Sequence, residues 1–291
     1  MRLRRVRAAE FIRLPPAGRR IPGRVLPAAR TKTRVTSTQV LARTPQSAAS
    51  HRYSLLLTSD PHEVRAAQRL RHRVFADELG AVLHSPEPGV DIDPFDAFCD
   101  HLLVREEVSG EIVGTYRMLP PSGAARAGRL YAEGEFVLDE LAPLRPSMVE
   151  TGRSCVHPEH RNGAVVGLVW AGIARYMLLT GHRWLVGCAS VPLADGGAAA
   201  GAVWDRALAR HLSPEPYRVQ PRLPWRPPVL RRPGRAAIPP LLQGYLRLGA
   251  WVCGPPALDP DFDCADFLVL LGLDHLDERY ARFFLGGAGN H

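Results

Sequence analysis

The chain has 291 residues, 46% of them hydrophobic and 23% charged, enough for one large domain or two small ones whose core needs no disulfide staples. Its net charge of +8 is unevenly spread: residues 1–50 carry +11 and residues 201–250 carry +7, which leaves −10 on the remainder. An acidic body with a basic tail and one basic segment excludes a general nucleic-acid surface, so no nucleic-acid partner is expected.

Residues 1–50 are Arg-rich, contain proline and hold a single acid, Glu10, which reads as a disordered tail. They join no charged region to an apolar leader, so secretion is not expected and the reading is cytoplasmic. Structure is expected from about Tyr53, with one domain over residues 51–291. Asp60-Pro61-His62-Glu63 reads as a helix start, with Asp60 as N-cap, Pro61 at N1 and Glu63 at N3. The following residues put Val64, Ala67, Leu70, Val74, Phe75 and Leu79 near one face, and Gly80 stops the helix.

H-L-L-V-R-E-E (101–107) and E-I-V-G-T-Y-R-M-L (111–119) read as a hairpin joined through Val108-Ser109-Gly110. A strand at 147–156 leads through a turn into a helix at 164–180. Arg175, Gly167 and Gly172 interrupt that apolar run, so a buried helix is expected and not a membrane span. A strand at 183–191 and a short helix at 201–211 follow. Residues 213–240, dense in proline and arginine, cannot form one regular element and read as an ordered insertion. A helix at 241–249, a strand at 265–271 and a closing helix at 276–285 complete an α+β fold.

Two charges, Glu150 and Arg153, lie within the otherwise apolar and β-branched stretch M-V-E-T-G-R-S-C-V (148–156). Interior strands rarely hold opposite charges without a role. Strict alternation places the two on opposite faces. A bulge at Gly152 would bring both toward one cleft and splay the strand. In the turn that follows, Arg161, Asn162, Gly163 and Ala164 lead into a helix N-terminus, whose backbone N–H groups suit a pyrophosphate or a phosphopantetheine phosphate.

The strand, the H-R-N-G-A-V-V-G-L turn and the helix resemble the acyl-CoA-binding core of the GNAT acyltransferases. The order R-H-R-V-F (71–75), D-I-D-P-F-D (91–96), G-T-Y-R-M-L-P (114–120) and E-T-G-R-S-C-V (150–156) resembles the related acyl-homoserine-lactone synthases. The Trp that family carries after its V-F helix is missing from E-L-G-A-V-L. The C-terminal run, L-P-W-R-P-P and then I-P-P-L-L-Q-G-Y-L-R-L-G-A-W-V-C-G-P-P-A-L-D-P-D-F-D-C-A-D-F, resembles the ornithine N-acyltransferases. That resemblance spans residues 53–286. It implies a GNAT-like, mostly antiparallel sheet with a splayed strand and flanking helices. It also implies transfer of a 3-hydroxyacyl group from acyl carrier protein to the α-amine of ornithine, the first step of ornithine-lipid synthesis. Arg71, Phe75, Asp93, Asp96, Arg117, Glu150 and Arg153 would line the site.

Such a transfer needs a neutral amine, so a carboxylate must accept a proton. Glu150 is the expected base, with Arg153 as its orienting partner and freed backbone N–H groups polarising the thioester carbonyl. Asp93 and Asp96 are expected to hold the acceptor's ammonium groups. Arg117, on an apolar strand, needs either an acidic loop residue or the acceptor carboxylate. No resident cofactor is expected, the acyl-loaded 4'-phosphopantetheine of the carrier protein being a co-substrate. The basic 201–250 segment is the expected contact for that acidic carrier, and the apolar 241–252 stretch for brief contact with a membrane.

No metal is expected. The histidines form no H-E-x-x-H, and D-P-D-F-D (259–263) fails as a calcium loop because Cys264 and Leu270 stand where Gly and Glu are needed. Five cysteines without a C-x-x-C pair read as free thiols. Three other functions compete with this one: a lactone synthase consuming S-adenosylmethionine, an acetyl-CoA-dependent acetyltransferase, and a non-catalytic acyl-binding or membrane-active protein.

Overall fold

The computed structural model describes residues 37–44, 52–227 and 238–276. In chain order it contains β1 (Gln39–Arg43), β2 (Tyr53–Thr58), α1 (Pro61–His72), β3 (Asp100–Glu106), β4 (Ile112–Leu119), α2 (Pro121–Ala127), β5 (Phe136–Val137) and β6 (Met148–Val156). There follow α3 (Gly163–Thr180), β7 (Trp184–Pro192), α4 (Ala198–Arg206), β8 (Gln220–Pro221), α5 (Pro240–Arg247), β9 (Trp251–Val252), β10 (Ala257–Asp259) and β11 (Cys264–Gly272). The main sheet runs β1-β2-β3-β4-β6-β7-β11-β10, with β9 also paired to β11. Among the described residues its one parallel strand pair is β6 with β7, and α3 supplies the crossover that a parallel pair requires.

Helices cover both faces, which explains the unbroken apolar run of β2. Leu55 and Leu57 pack with Leu102, Val104 and Ile173 beneath α3. Leu56 and Leu103 pack on the other face with Leu70 of α1 and Val74 just beyond its end. By length and composition α3 could cross a membrane. Its buried stripe, including Val165, Leu168, Val169, Tyr176 and Met177, instead belongs to the main core.

The N-terminal reading of α1 holds: the Asp60 carboxylate accepts from the N–H groups of His62 and Glu63, and Pro61 opens the helix. The expected face fails at its end. After His72 the helix widens into a π turn over Arg73–Glu78, with Leu79 N–H donating to the Val74 carbonyl at 3.1 Å. The extra residue shifts the phase, so Leu79 turns outward at 59% exposed while Val74 and Phe75 stay buried. Gly80, at φ +75°, then ends the turn.

The domain boundary also moves. Gln39–Arg43 forms the edge strand β1, paired with β2, so part of the expected tail belongs to the sheet. Its Leu41 is 7% exposed and supplies the apolar contact that a composition-based reading overlooked. Residues 1–36 and the expected closing helix after Leu276 lie outside the described residues. Residues 213–227 form a strap along the sheet end: Val219 N–H donates to Cys253 O, Trp225 N–H to Pro256 O, and Leu258 N–H to Leu223 O.

Candidate active site

The site forms where β6 leaves its neighbours. On the β4 side Thr115 faces Cys155 and Arg117 faces Gly152, so Arg153 and Ser154 together oppose Tyr116. This is the expected bulge, although Arg153, at φ +50°, takes the left-handed backbone and not Gly152. On the β7 side the parallel pairing ends at Glu150 with Val186. The Thr151 hydroxyl donates to Val186 O at 3.2 Å, and beyond it the strands part.

Gly187 sits at the fork. A Cβ there would lie 2.6 Å from the Thr151 carbonyl oxygen and 2.8 Å from its hydroxyl. Gly187→Ala is therefore expected to wedge the strands apart, lowering stability by ~1–3 kcal/mol and reducing turnover, as read by urea denaturation and initial rates.

A cleft of about 350 Å³ opens at the fork, with Gly152, Arg153 and Ser154 on one wall and Gly187 and Cys188 on the other. Its apolar part is bounded by Leu185, Leu241, Leu242, Tyr245 and Val269. Phe75 also lines the cleft. Tyr116 donates to the Thr151 hydroxyl at 3.3 Å and hydrogen-bonds Tyr245, making a polar seam beside the apolar part.

Glu150 lies in this cleft at 4% exposed. Its two carboxylate oxygens accept from Tyr131 N–H at 2.6 Å and Ala132 N–H at 2.8 Å, at the start of a short 3-10 turn. Burial pushes its pKa up, those two N–H groups and Arg117 pull it down, and the balance is about 7. That value suits a general base near neutrality.

Arg153 does not pair with Glu150, as the sequence reading expected. The left-handed backbone at Arg153 aims the guanidinium away, to Asp91 at 3.2 Å and Asp93 at 2.9 Å. Arg71 reaches Asp91 at 2.8 Å and Asp96 at 2.7 Å, and Arg117 reaches Asp93 at 2.9 Å and Asp96 at 3.2 Å. Three arginines and three aspartates thus close a neutral, buried network in which each cation touches two anions. For Asp93 and Asp96 burial alone would raise the pKa, yet the neighbouring arginines outweigh it and hold both carboxyls below the ordinary range.

The network changes the roles expected of its members. Arg71 is fully buried and pins the 91–96 loop, so it meets no substrate. Asp96 also accepts from Gln68 and from the Asp93 N–H, which leaves no oxygen for an acceptor ammonium. Asp93 and Arg153 line a second, larger cavity of about 470 Å³ while holding their ionic partners. Arg117 holds acidic loop residues, one of the two kinds of partner foreseen for it.

The turn expected to hold the donor's phosphate is also occupied. The Asn162 side chain accepts from Ala164 N–H and Val165 N–H, both at 3.1 Å, and so caps α3 itself. Arg161 forks onto Glu78 with both contacts at 2.6 Å. None of Arg161, Asn162, Gly163 and Ala164 lines the cleft. A phosphate at this turn would have to displace the Asn162 cap.

Tyr131, Tyr116, Asp91 and the Glu135–Asp266 pair escaped the sequence reading. Asp91, Tyr116 and Asp266 stand inside the motifs D-I-D-P-F-D, G-T-Y-R-M-L-P and D-F-D-C-A-D-F, whereas Tyr131 and Glu135 lie in a segment with no local pattern.

Residues 70–171 match a family model described as an acetyltransferase (GNAT) domain. The L-ornithine N(alpha)-acyltransferase of Rhizobium meliloti is 37% identical over 247 residues, which cover 78% of this chain and 82% of that protein. The L-ornithine N(alpha)-acyltransferase of Rhodobacter capsulatus is 35% identical over 252 residues, covering 80% and 94%. Among solved structures, the acyl-homoserine-lactone synthase LasI aligns over 82% of this chain and 96% of its own, at 14% identity and a TM-score of 0.47.

Proposed function

The chain belongs to the L-ornithine N(alpha)-acyltransferases, and from that membership we propose that it moves a 3-hydroxyacyl group from acyl carrier protein to the α-amine of ornithine. The observation that carries the reading is Glu150, with a pKa of about 7, in a cleft that has an apolar part beside it. The apolar part gives a fatty chain a place that an acetyl group would not need. In the reaction the α-ammonium loses a proton to Glu150, directly or through one water, and the neutral nitrogen attacks the thioester carbonyl. The carbon–sulfur bond then breaks and the thiolate takes a proton. The nitrogen gives up its second proton as that bond breaks, and Tyr116, whose phenol burial keeps protonated and which lines the same cleft, can pass its proton to the sulfur and take the one the nitrogen releases.

Six described arginines of the basic segment, Arg206, Arg210, Arg218, Arg222, Arg226 and Arg247, supply a surface suited to an acidic carrier protein. Such steering weakens as salt rises. The apolar 241–252 stretch foreseen at a membrane is turned inward, with Leu242, Leu246, Leu248 and Val252 in the core, so the exposed Leu178 and Leu179 of α3 and the amphiphilic product are what fit a cytoplasmic protein that touches a membrane briefly.

The test incubates the full chain with 3-hydroxyacyl carrier protein or the matching CoA thioester, each with ornithine, lysine, glutamine or glycine, and identifies lipid products by mass. N-acylated ornithine is expected, formed at least ~10-fold faster from the carrier protein than from CoA. A preference for CoA would overturn the donor assignment, and acylation of no amino acid would overturn the whole reading.

A further inference from the structure

Once every arginine of the ionic network is matched to aspartates, a second set of acids in the same region has no counter-charge. Glu135 and Asp259 line the larger cavity, and Asp259 and Asp266 line the cleft. Carboxylate oxygens of Glu135 and Asp266 and the Cys188 sulfur all lie within 4.8 Å of one another. The same holds for Asp259, Asp266 and the Cys264 sulfur. Among the described residues none of the three acids forms a salt bridge.

Asp266 is 2% exposed, and its side-chain partners stay inside the cluster: the Cys264 thiol donates to it at 3.4 Å, and Glu135 lies against it. Both oxygens of Glu135 are buried, and the groups they meet are Asp266 and Cys188 of the same cluster. Burying carboxyls this way is costly unless something cationic joins them.

We propose that Glu135 and Asp266, flanked by Asp259, form the subsite that holds the second, side-chain ammonium of a diamino-acid acceptor. The inference rests on the acyl-transfer reading and extends it to acceptor selection. An ammonium offers three N–H donors and needs only acceptors, which three carboxyl groups provide. The acids suit the nitrogen that keeps its charge. The reacting α-amine must become neutral, and clustered carboxylates would hold it protonated. Glu150 acts on the other flank: its charge and those of Glu135 and Asp266 all bear on Cys188, so the two acidic groups border one thiol.

Burial, then the charge of Asp266, pushes the Glu135 pKa well up, so the empty pair keeps a proton that an arriving ammonium replaces. Burial likewise holds the Cys188 and Cys264 thiols protonated, which makes them weak metal ligands.

The test uses chelator-treated full-length protein, wild type, Glu135→Gln and Asp266→Asn. Calorimetry measures binding of L-ornithine and of L-norvaline, the same carbon chain without the terminal amine. Acyl transfer to each is assayed on the same preparations. Wild type is expected to favour ornithine by about 100-fold or more, since a site built for a polar group rejects the analogue lacking it. Either substitution is expected to weaken ornithine binding by ~30-fold or more and norvaline binding by under ~3-fold. Glu135→Asp should keep part of the selectivity.

Equal binding of the two ligands by wild type overturns the proposal. So does a parallel loss of both ligands in both variants, which marks a structural role. Selectivity that vanishes with the chelator and returns with zinc would assign the acids to a metal and also overturn it. Selective ornithine binding without acyl transfer from any donor would leave the subsite standing and remove the acyl-transfer reading.

Discussion

Replacing Glu150 by Gln is expected to lower kcat by ~10²–10⁴-fold, with the cooperative melt retained. In the wild type the rate should climb through a pH of about 7 as the carboxyl ionises, and that limb should be absent from the variant. A variant with unchanged turnover and the same pH limb would remove Glu150 from the mechanism.

Stability supplies a second readout with a definite sign. The folded pKa of Glu150 is raised from 4.5 to about 7, so its contribution is fully present below 4.5 and is lost as pH rises to 7. At pH 8 the buried charge burdens the wild type by roughly 3 kcal/mol. Gln removes that burden but turns its amide donor onto either the Tyr131 or the Ala132 N–H, a loss of about 1–3 kcal/mol. The two terms nearly cancel at pH 8. At pH 5 only the amide mismatch remains, so urea curves should show the variant gaining relative to wild type between those pH values.

The sequence disclosed what depends on period and on local chemistry. The Asp60 cap, the β3–β4 hairpin, α3 with its flanking strands and the bulge in β6 were all legible. Each rests on residues close together in the chain: a cap needs four, a hairpin a turn, and the bulge two charges about a glycine. Gln39–Arg43 was hidden because arginines around it set the local composition, and only pairing with β2 reveals it as a strand.

The π turn after His72 was equally hidden. Nothing in R-V-F-A-D-E announces a change of pitch, and Leu79 follows the helical period on paper. Within the site, residue identities were legible but partners were not. The Glu150–Arg153 spacing invited a pair, yet a positive φ at one residue redirected the guanidinium to a loop some sixty residues upstream. Glu135 and Asp266 could not be joined from sequence at all, since only the fold brings them within 4.8 Å.

Arg71→Met is expected to destabilise the fold by about 3–5 kcal/mol, because it leaves the carboxylates of Asp91 and Asp96 buried with less counter-charge. Asp96→Leu should be comparably harmful, since Arg71 and Arg117 both lose a partner. The double variant separates a network from a set of independent contacts. Removing Arg71 and Asp96 together leaves Arg117 with Asp93 and Arg153 with Asp91 and Asp93, two cations against two anions. Neutrality is restored, so the double variant should lose ~1–3 kcal/mol less than the two single losses combined. Urea denaturation at pH 7 gives all four values. Strict additivity would mean that the pairs act independently. Acid provides the matching control. Asp93 and Asp96 hold depressed pKa values, so the network's contribution is present above about pH 4 and fades as pH falls further. The stability gap between wild type and Arg71→Met should therefore narrow in acid, whereas a gap produced by lost packing around the arginine stem would persist.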